Sequence, residues 1–311
     1  MGVQPARVAI IGGGAMGSVF AGLFAEAGHD VTLISRPGAH MDAIRARGLR
    51  VEGASGDRTV RLRALEAPPA EDFDLFILAV KATQIDAATR SLAPVFGKAG
   101  VVLAMQNGLG AADIVAGQLG ADRLAVGIAA AFGASVVSPG HAHHTGMGAI
   151  RIGAYQAMPS FDTAHIAAQW RNAGFEAEPV ADILTLQWEK LICNAAFSAP
   201  CALTGMRVGE ALEDPVLGPI CLQAGIETWE IARACGVPLT VTDAQAHVRA
   251  FAARVAAAKP SLLQDIEAGR PSEIDFINGA VPREAAKQGM VAPVNQTLTA
   301  LVKAIEAKRG A

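Results

Sequence analysis

The sequence is short of the features that would place it in several large classes of protein. It has four cysteines in 311 residues. Cys193, Cys201, Cys221 and Cys235 form neither a CxxC pair nor the spacing of a zinc site, so they read as buried thiols of a reduced compartment, and no metal is expected. Basic charge is not in excess: 26 Lys and Arg against 29 Asp and Glu leave a formal net charge of −3, which excludes the strongly cationic surfaces that draw proteins to nucleic acid or anionic membranes. No apolar run approaches the roughly 18 residues of a membrane span. The hydrophobic start at Val8 is interrupted by Gly12, Gly13 and Gly14 rather than by a cleavage site, so a cytoplasmic location is expected. Internal repeats and low-complexity linkers are also missing. What remains is 51% hydrophobic and 18% charged, a composition for a compact protein long enough to hold two domains and bind a small ligand.

The first half reads as alternating strands and helices. Arg7 to Gly12 is a short apolar strand of the kind buried in a parallel sheet, and it runs into Gly12-Gly-Gly14-Ala-Met16-Gly17 and an apolar helix from Ser18 to Ala27. Strand, G-x-G-x-x-G and helix in that order predict a dinucleotide site: Gly12 for the tight turn, Gly14 for approach of a pyrophosphate, Gly17 for helix against strand. The second strand, Asp30 to Ile34, ends in Ser35-Arg36 and lacks the terminal acid that would accept bonds from the ribose of NAD; Ser35 and Arg36 suit a 2′-phosphate, so NADP(H) is expected. The bland alternative for Arg36 is a solvated residue before Pro37-Gly38. Further segments follow: a helix Ala39 to Arg47, β-rich pieces Leu49 to Glu52 and Thr59 to Leu65, and strands Phe73 to Val80, Val101 to Ala104 and Ala125 to Ala131. Two of these end in Lys81-Ala-Thr-Gln84 and Gln106-Asn107-Gly108, which places Lys81, Gln84 and Asn107 at the ligand-facing edge of a parallel sheet. Asn107-Gly108 reads equally as a turn, and Lys81 as a solvated strand-end lysine. His141, His143 and His144 fall in an exposed-looking polar hairpin. After a helix Thr163 to Asn172 and an edge strand Glu176 to Val180, strand signals stop, which sets a boundary near residue 180, with domains of 1–180 and 181–311.

The second half is helical in pattern. Asp182 caps a helix on which Lys190, Asn194 and Ser198, each four residues apart, share one polar stripe. An exposed lysine above small polar groups is the plain alternative. Asp214-Pro215 opens a helix that Gly236 ends, and Asp243 opens another to Ala258. Ser261 with Gln264 matches a capping box, and Ser272 starts a further helix with Glu273 in its first turn.

The strand–G-x-G-x-x-G–helix start with Arg36, Val80-Lys81-Ala82, Gln106-Asn107-Gly108, Trp188-Glu189-Lys190 through Asn194, and Leu263-Gln264-Asp265 through Glu273-Ile274-Asp275 resemble the ketopantoate (2-dehydropantoate 2-) reductase family nearly end to end. The resemblance implies an α/β fold with an N-terminal Rossmann-type doubly wound sheet. It also implies an all-α C-terminal domain like that of 6-phosphogluconate dehydrogenase, with an active site between the two. It implies NADPH-dependent reduction of a 2-oxo acid to a 2-hydroxy acid, in this family ketopantoate to pantoate on the route to pantothenate. Lys190 would be catalytic with Glu273 as its acidic partner. Asn107, Asn194, Ser198 and Ser261 would meet substrate, and Gly12, Gly14, Met16, Gly17, Ser35, Arg36, Lys81, Gln84 and Asn107 the cofactor. The chain departs from the family at Ser198 and Ala258, where asparagines are common. A shorter group there leaves the substrate hydroxyl unpaired at a cost of about 1 to 3 kcal/mol, so a paralogue acting on another 2-oxo acid is the enzymic alternative. An NADPH-binding regulatory protein is the alternative from another class. The apolar surface of the helical half also fits two-fold pairing into a homodimer.

Overall fold

The computed structural model describes residues 4–97, 100–130, 132–156 and 159–310; Ala131, the end of one expected strand, lies outside them. The chain divides into two compact units. One comprises the residues up to Gln106 with Ala111–Ile183, and the other Asn107–Gly110 with the residues from Leu184 onward.

The first unit contains strands β1 (Arg7–Ile11), β2 (Asp30–Ile34), β3 (Leu49–Gly53), β4 (Arg58–Val60), β5 (Arg63–Leu65), β6 (Leu75–Leu78), β7 (Val101–Ala104), β8 (Leu124–Ala129), β9 (Gly133–Ser138), β10 (His141–Gly146), β11 (Ile150–Ala154) and β12 (Ala177–Val180). Its helices are α1 (Ala15–Glu26), α2 (Ala39–Arg47), α3 (Ile85–Leu92), α4 (Ala111–Leu119) and α5 (Ser160–Asn172). Eight strands form one sheet in the order β12-β11-β8-β7-β6-β1-β2-β5, parallel except where β11 runs against β8. The direction of winding reverses between β1 and β6, the point at which doubly wound sheets bind ligands. Pro179 sits in the edge strand β12, where its missing N–H costs no ladder bond.

Sequence periodicity alone did not separate the segment Thr59 to Leu65. Its first part is β4, which joins β3, β10 and β9 in a second sheet of order β4-β3-β10-β9, while β5 adds to the edge of the first. Helix α1 packs against β2 of the large sheet and against β3, β9 and β10 of the small one. Being covered on both sides explains why Gly17 through Phe24 are all buried and why the helix shows no polar face. Phe20 and Phe24 meet Trp170 of α5 edge-on at 4.8 and 5.2 Å, an arrangement aromatic rings favour, and so lock α5 to α1. The three histidines are less exposed than expected. They lie on strand β10, paired antiparallel with β9 in a hairpin as expected, but strand alternation sends His144 fully inside, where its Nδ1 meets Ser55 Oγ at 3.0 Å.

The second unit is built on α6 (Ile183–Thr204), with α7 (Val208–Glu213), α8 (Leu217–Ala234), α9 (Ala244–Arg254), α10 (Ser261–Glu267), α11 (Ala280–Lys287) and α12 (Pro293–Gly310). Leu191, Ile192 and Phe197 of α6 share a core with Ile231, Val248, Leu263, Val281 and Val302. Burying side chains of this size contributes about 1.5 to 3 kcal/mol each. Asp243 caps α9 through Ala246 N, but α8 starts later than Asp214-Pro215 implies: Val216 is its N-cap, and Asp214 Oδ1 accepts from the amides of Val216 and Leu217 at 2.9 and 2.7 Å in the turn before it. Helix α9 stops at Arg254, short of the expected Ala258. The capping box at Ser261 does not form. Pro260 takes the cap position, and the Gln264 side chain donates instead to the Lys259 carbonyl at 2.9 Å. Ser272 opens no α-helix; its hydroxyl accepts from Ile274 N at the start of a single 3₁₀ turn, Ile274–Phe276. All four cysteines are free, with Cys193, Cys201 and Cys221 buried and Cys235 only half-buried. Among the described residues no helix is long and apolar enough to cross a membrane.

Candidate active site

In the first unit the backbone builds a cradle for an anion. Gly12, at φ 115°, donates its N–H to Ile34 O at 2.8 Å and so turns the chain across the end of β2. A Cβ at Gly17 would lie 1.8 Å from Gly12 O, so only glycine lets α1 start this close to the strand it follows. Gly14, the N-cap of α1, is exposed, and a Cβ there would meet nothing within 4 Å. No side chain caps α1, and its first turn carries no acid, so the positive end of the helix dipole is left for an outside anion. Met16 is half-buried in the first turn of α1.

Ser35 and Arg36 follow β2, as the sequence places them: Ser35 half-buried, its N–H on Leu65 O at 3.0 Å, and Arg36 exposed. Asp30, the one acid of this strand, stands at its opposite end beside Arg7 at 3.3 Å. Lys81 is half-buried and precedes the 3₁₀ turn Ala82–Gln84, with Gln84 exposed. Gln106 was not singled out from the sequence. Its Nε2 donates to Leu78 O at 2.8 Å and Val80 O at 2.9 Å, fastening the end of β7 to the end of β6. A carboxamide at a strand end is the sequence signal that could have found it. These residues and the open helix start fit a dinucleotide phosphate. Among the described residues no group of three His, Cys, Asp or Glu side chains converges on a metal position.

In the second unit three segments meet around Lys190. The lysine Nζ donates to Asn107 Oδ1 at 2.8 Å. The loop carrying Asn107 is fastened in turn to the Glu273–Gly279 turn, because Leu109 N donates to Phe276 O at 2.9 Å. Gly108 has φ 80°, and a Cβ there would lie 1.8 Å from Phe276 O, so the loop can approach only as glycine. The turn is closed on itself by Phe276 N and Ile277 N, both donating to Glu273 O, and it holds Glu273 buried. Burial pushes the Lys190 pKa down to about 8, and the negative charge of Glu273 opposes that fall. This differs from the ordinary lysine value of about 10.4, and it brings the amine close to neutral pH, where one group can both give and take a proton.

Asn194 is half-buried one turn beyond Lys190, and Ser198 is buried one turn further on the same helix. Ser261 is exposed at the start of α10 and takes no part in the hydrogen bonds of the Lys190 cluster. Ala258 is exposed, its carbonyl accepting from Val208 N at 3.1 Å.

The profile of the ketopantoate reductase PanE/ApbA family matches residues 8–157, and that of its C-terminal domain matches residues 182–306. A 2-dehydropantoate 2-reductase of Archaeoglobus fulgidus is 33% identical over 96% of this chain and 98% of its own length. One from Pyrococcus horikoshii is 32% identical over 98% and 99%. Among solved structures, a PanE/ApbA family ketopantoate reductase from Ralstonia eutropha JMP134 aligns with a TM-score of 0.90 at 33% identity, over 98% of this chain and all of that one. A D-mandelate dehydrogenase in ternary complex with NADH and anilino(oxo)acetate aligns equally well, with a TM-score of 0.90 at 26% identity over 98% and 99%.

Proposed function

The chain belongs to the ketopantoate reductase family, and from that we propose that it reduces ketopantoate to pantoate with NADPH, the reaction class being 2-oxo acid to 2-hydroxy acid. The observation that carries this reading is the Lys190 cluster: a partly desolvated ammonium bonded to Asn107 and biased by a buried carboxylate, in a chain that also holds a nucleotide cradle. NADPH, when bound, supplies the hydride to the ketone carbon. As the carbonyl oxygen gains negative charge, Lys190 stabilises it and hands over a proton. Asn107 orients the lysine, and Asn194, Ser198 and Ser261 are assigned to the substrate. Gly12, Gly14, Met16 and Gly17 are assigned to the pyrophosphate, with Lys81 and Gln84 also on the nucleotide side.

Preference for NADPH over NADH is supported by Arg36 and Ser35 at the end of β2 and by the position of Asp30 at its start. Arg36→Asp is expected to weaken NADPH binding about 10- to 100-fold, the worth of a lost charged hydrogen bond, with little change for NADH. Titration of the variant with both nucleotides checks this, and equal losses count against a 2′-phosphate contact.

A second substrate reading is favoured by the D-mandelate dehydrogenase likeness together with Ser198 and Ala258: the chain acts on a 2-oxo acid with an apolar or aryl group. Following NADPH absorbance with purified protein, ketopantoate and a panel of aryl and branched 2-oxo acids decides between the two. A higher kcat/KM for ketopantoate supports the first reading, and a higher one for an acid without the terminal hydroxyl the second. Pairing through the helical half, which exposes Val216, Val291 and Leu301, and a cytoplasmic setting for the free thiols complete the proposal.

A further inference from the structure

The helical unit carries a second polar cluster, wholly inside its apolar core. Asn278 and Asn295 are 0% exposed and Glu227 is 6% exposed. Glu227 Oε1 accepts from Val294 N at 2.9 Å, and Oε2 accepts from Asn295 N at 3.0 Å and Asn295 Nδ2 at 2.9 Å. Asn295 Nδ2 also donates to Ala224 O at 3.0 Å, while its Oδ1 accepts from Asn278 Nδ2 at 2.9 Å. The remaining bond of that Asn278 amide runs to Ala195 O of α6 at 2.8 Å.

Buried polar groups are costly unless their bonds are made, and every side-chain polar atom of the three residues except Asn278 Oδ1 has a partner, so shifting the segments out of this arrangement breaks several bonds at once. Its end point is informative. Ala195 adjoins Asn194 and lies five residues beyond Lys190, a helix rise of about 7.5 Å. Asn278 sits in the same hydrogen-bonded turn as Glu273, since Phe276 N and Ile277 N bond to Glu273 O and Gly279 N bonds to Ile274 O. One amide therefore joins the segment that carries the carboxylate to the helix that carries the ammonium. With the bond from Lys190 to Asn107 and that from Leu109 to Phe276, it closes a ring of α6, loop and turn.

We infer that Asn278, held by Asn295 and Glu227, is a positioning residue that fixes the Glu273 carboxylate relative to the Lys190 ammonium. Glu273 is the charged group that bears on Lys190 from the turn, whereas Asn107 of the loop is uncharged. On α6 itself, Glu189 is committed to the Thr240 hydroxyl and to the amides of Thr240 and Val241. Releasing the turn from α6 weakens the Glu273 charge that opposes desolvation of the lysine. The kinetic importance of this rests on the proposed reductase reading, but the geometry can be tested without turnover.

The test is competitive acetylation of the full-length protein with acetic anhydride across neutral and alkaline pH, with Lys190 labelling read by peptide mass spectrometry. Asn278→Ala is expected to lower the apparent pKa of Lys190 by about one, the effect of losing a nearby opposite charge. Asn278→Ser, which keeps a hydroxyl, should give a smaller fall. Val302→Ala, a core truncation on α12 outside the network, should lower thermal stability and leave the lysine where it was. An unchanged or higher Lys190 value in Asn278→Ala overturns the inference, and if that variant does not fold, the same result in Asn278→Ser does so. Failure of the reductase reading looks different, because the unsubstituted protein would then oxidise NADPH with none of the 2-oxo acids, whatever the labelling shows.

Discussion

Lys190→Ala is expected to cut kcat for 2-oxo acid reduction by about 10²- to 10⁴-fold while leaving the affinity for NADPH unchanged. The size follows from losing both a positioned proton donor and the charge that stabilises the developing alkoxide. Nucleotide affinity should survive because the cradle around Gly12, Gly14 and Gly17 is built by the backbone of the other unit. The pH dependence carries the same signature. With its pKa held down to about 8, Lys190 is protonated below that value and can give its proton, so the chemical step of reduction should be flat in the acid direction and fall as pH rises through about 8. Oxidation of the hydroxy acid needs the neutral amine and should rise over the same interval. Stopped-flow measurement of hydride transfer against pH, in both directions, checks this; near-normal turnover in Lys190→Ala would remove the lysine from the mechanism.

Gly108→Ala should be the most damaging single methyl in the helical unit. The residue is held at φ 80°, which costs an L side chain about 1 to 3 kcal/mol. The added Cβ must also displace a backbone oxygen only 1.8 Å away and with it the bond from Leu109 N to Phe276 O. Gly236→Ala provides the control. Gly236 has φ 74°, but a Cβ there has nothing within 4 Å, so it pays for backbone conformation alone. Gly108→Ala should therefore lose at least about 2 kcal/mol more than Gly236→Ala in thermal unfolding. It should also lose kcat, because Asn107 moves with Gly108; equal losses in the two variants would mean the loop is not tightly seated.

Much of the fold could be read from local rules. The glycine motif after β1, Arg36 after β2, the Asp243 cap and the stripe through Lys190 each express a requirement satisfied within a few residues, and the structure places each where its pattern implies, whereas the helix opened by Asp214-Pro215 begins only at Leu217. What escaped the sequence was set by distant partners. Whether Thr59 to Leu65 makes one strand or two depends on two sheets, one at each end of the segment. The inward turn of His144 depends on β3 and β9 lying either side of β10. Glu227 and Asn295 are 68 residues apart, and Asn278 and Ala195 are 83 apart, so no periodicity could pair them. Pro260 takes the cap position ahead of Ser261 through its fixed φ, which overrides the Ser-x-x-Gln pattern.

The four residues Asn107–Gly110 fold with the helical unit although the chain on either side of them belongs to the sheet. Exchange of halves between related genes at the visible joint after Ile183 would therefore leave one parent's Gly108 pressed against the other parent's Phe276. Lineages of this enzyme can diversify by substitution within each half, but a clean swap of cassettes has to carry a four-residue island of the first half along with the second.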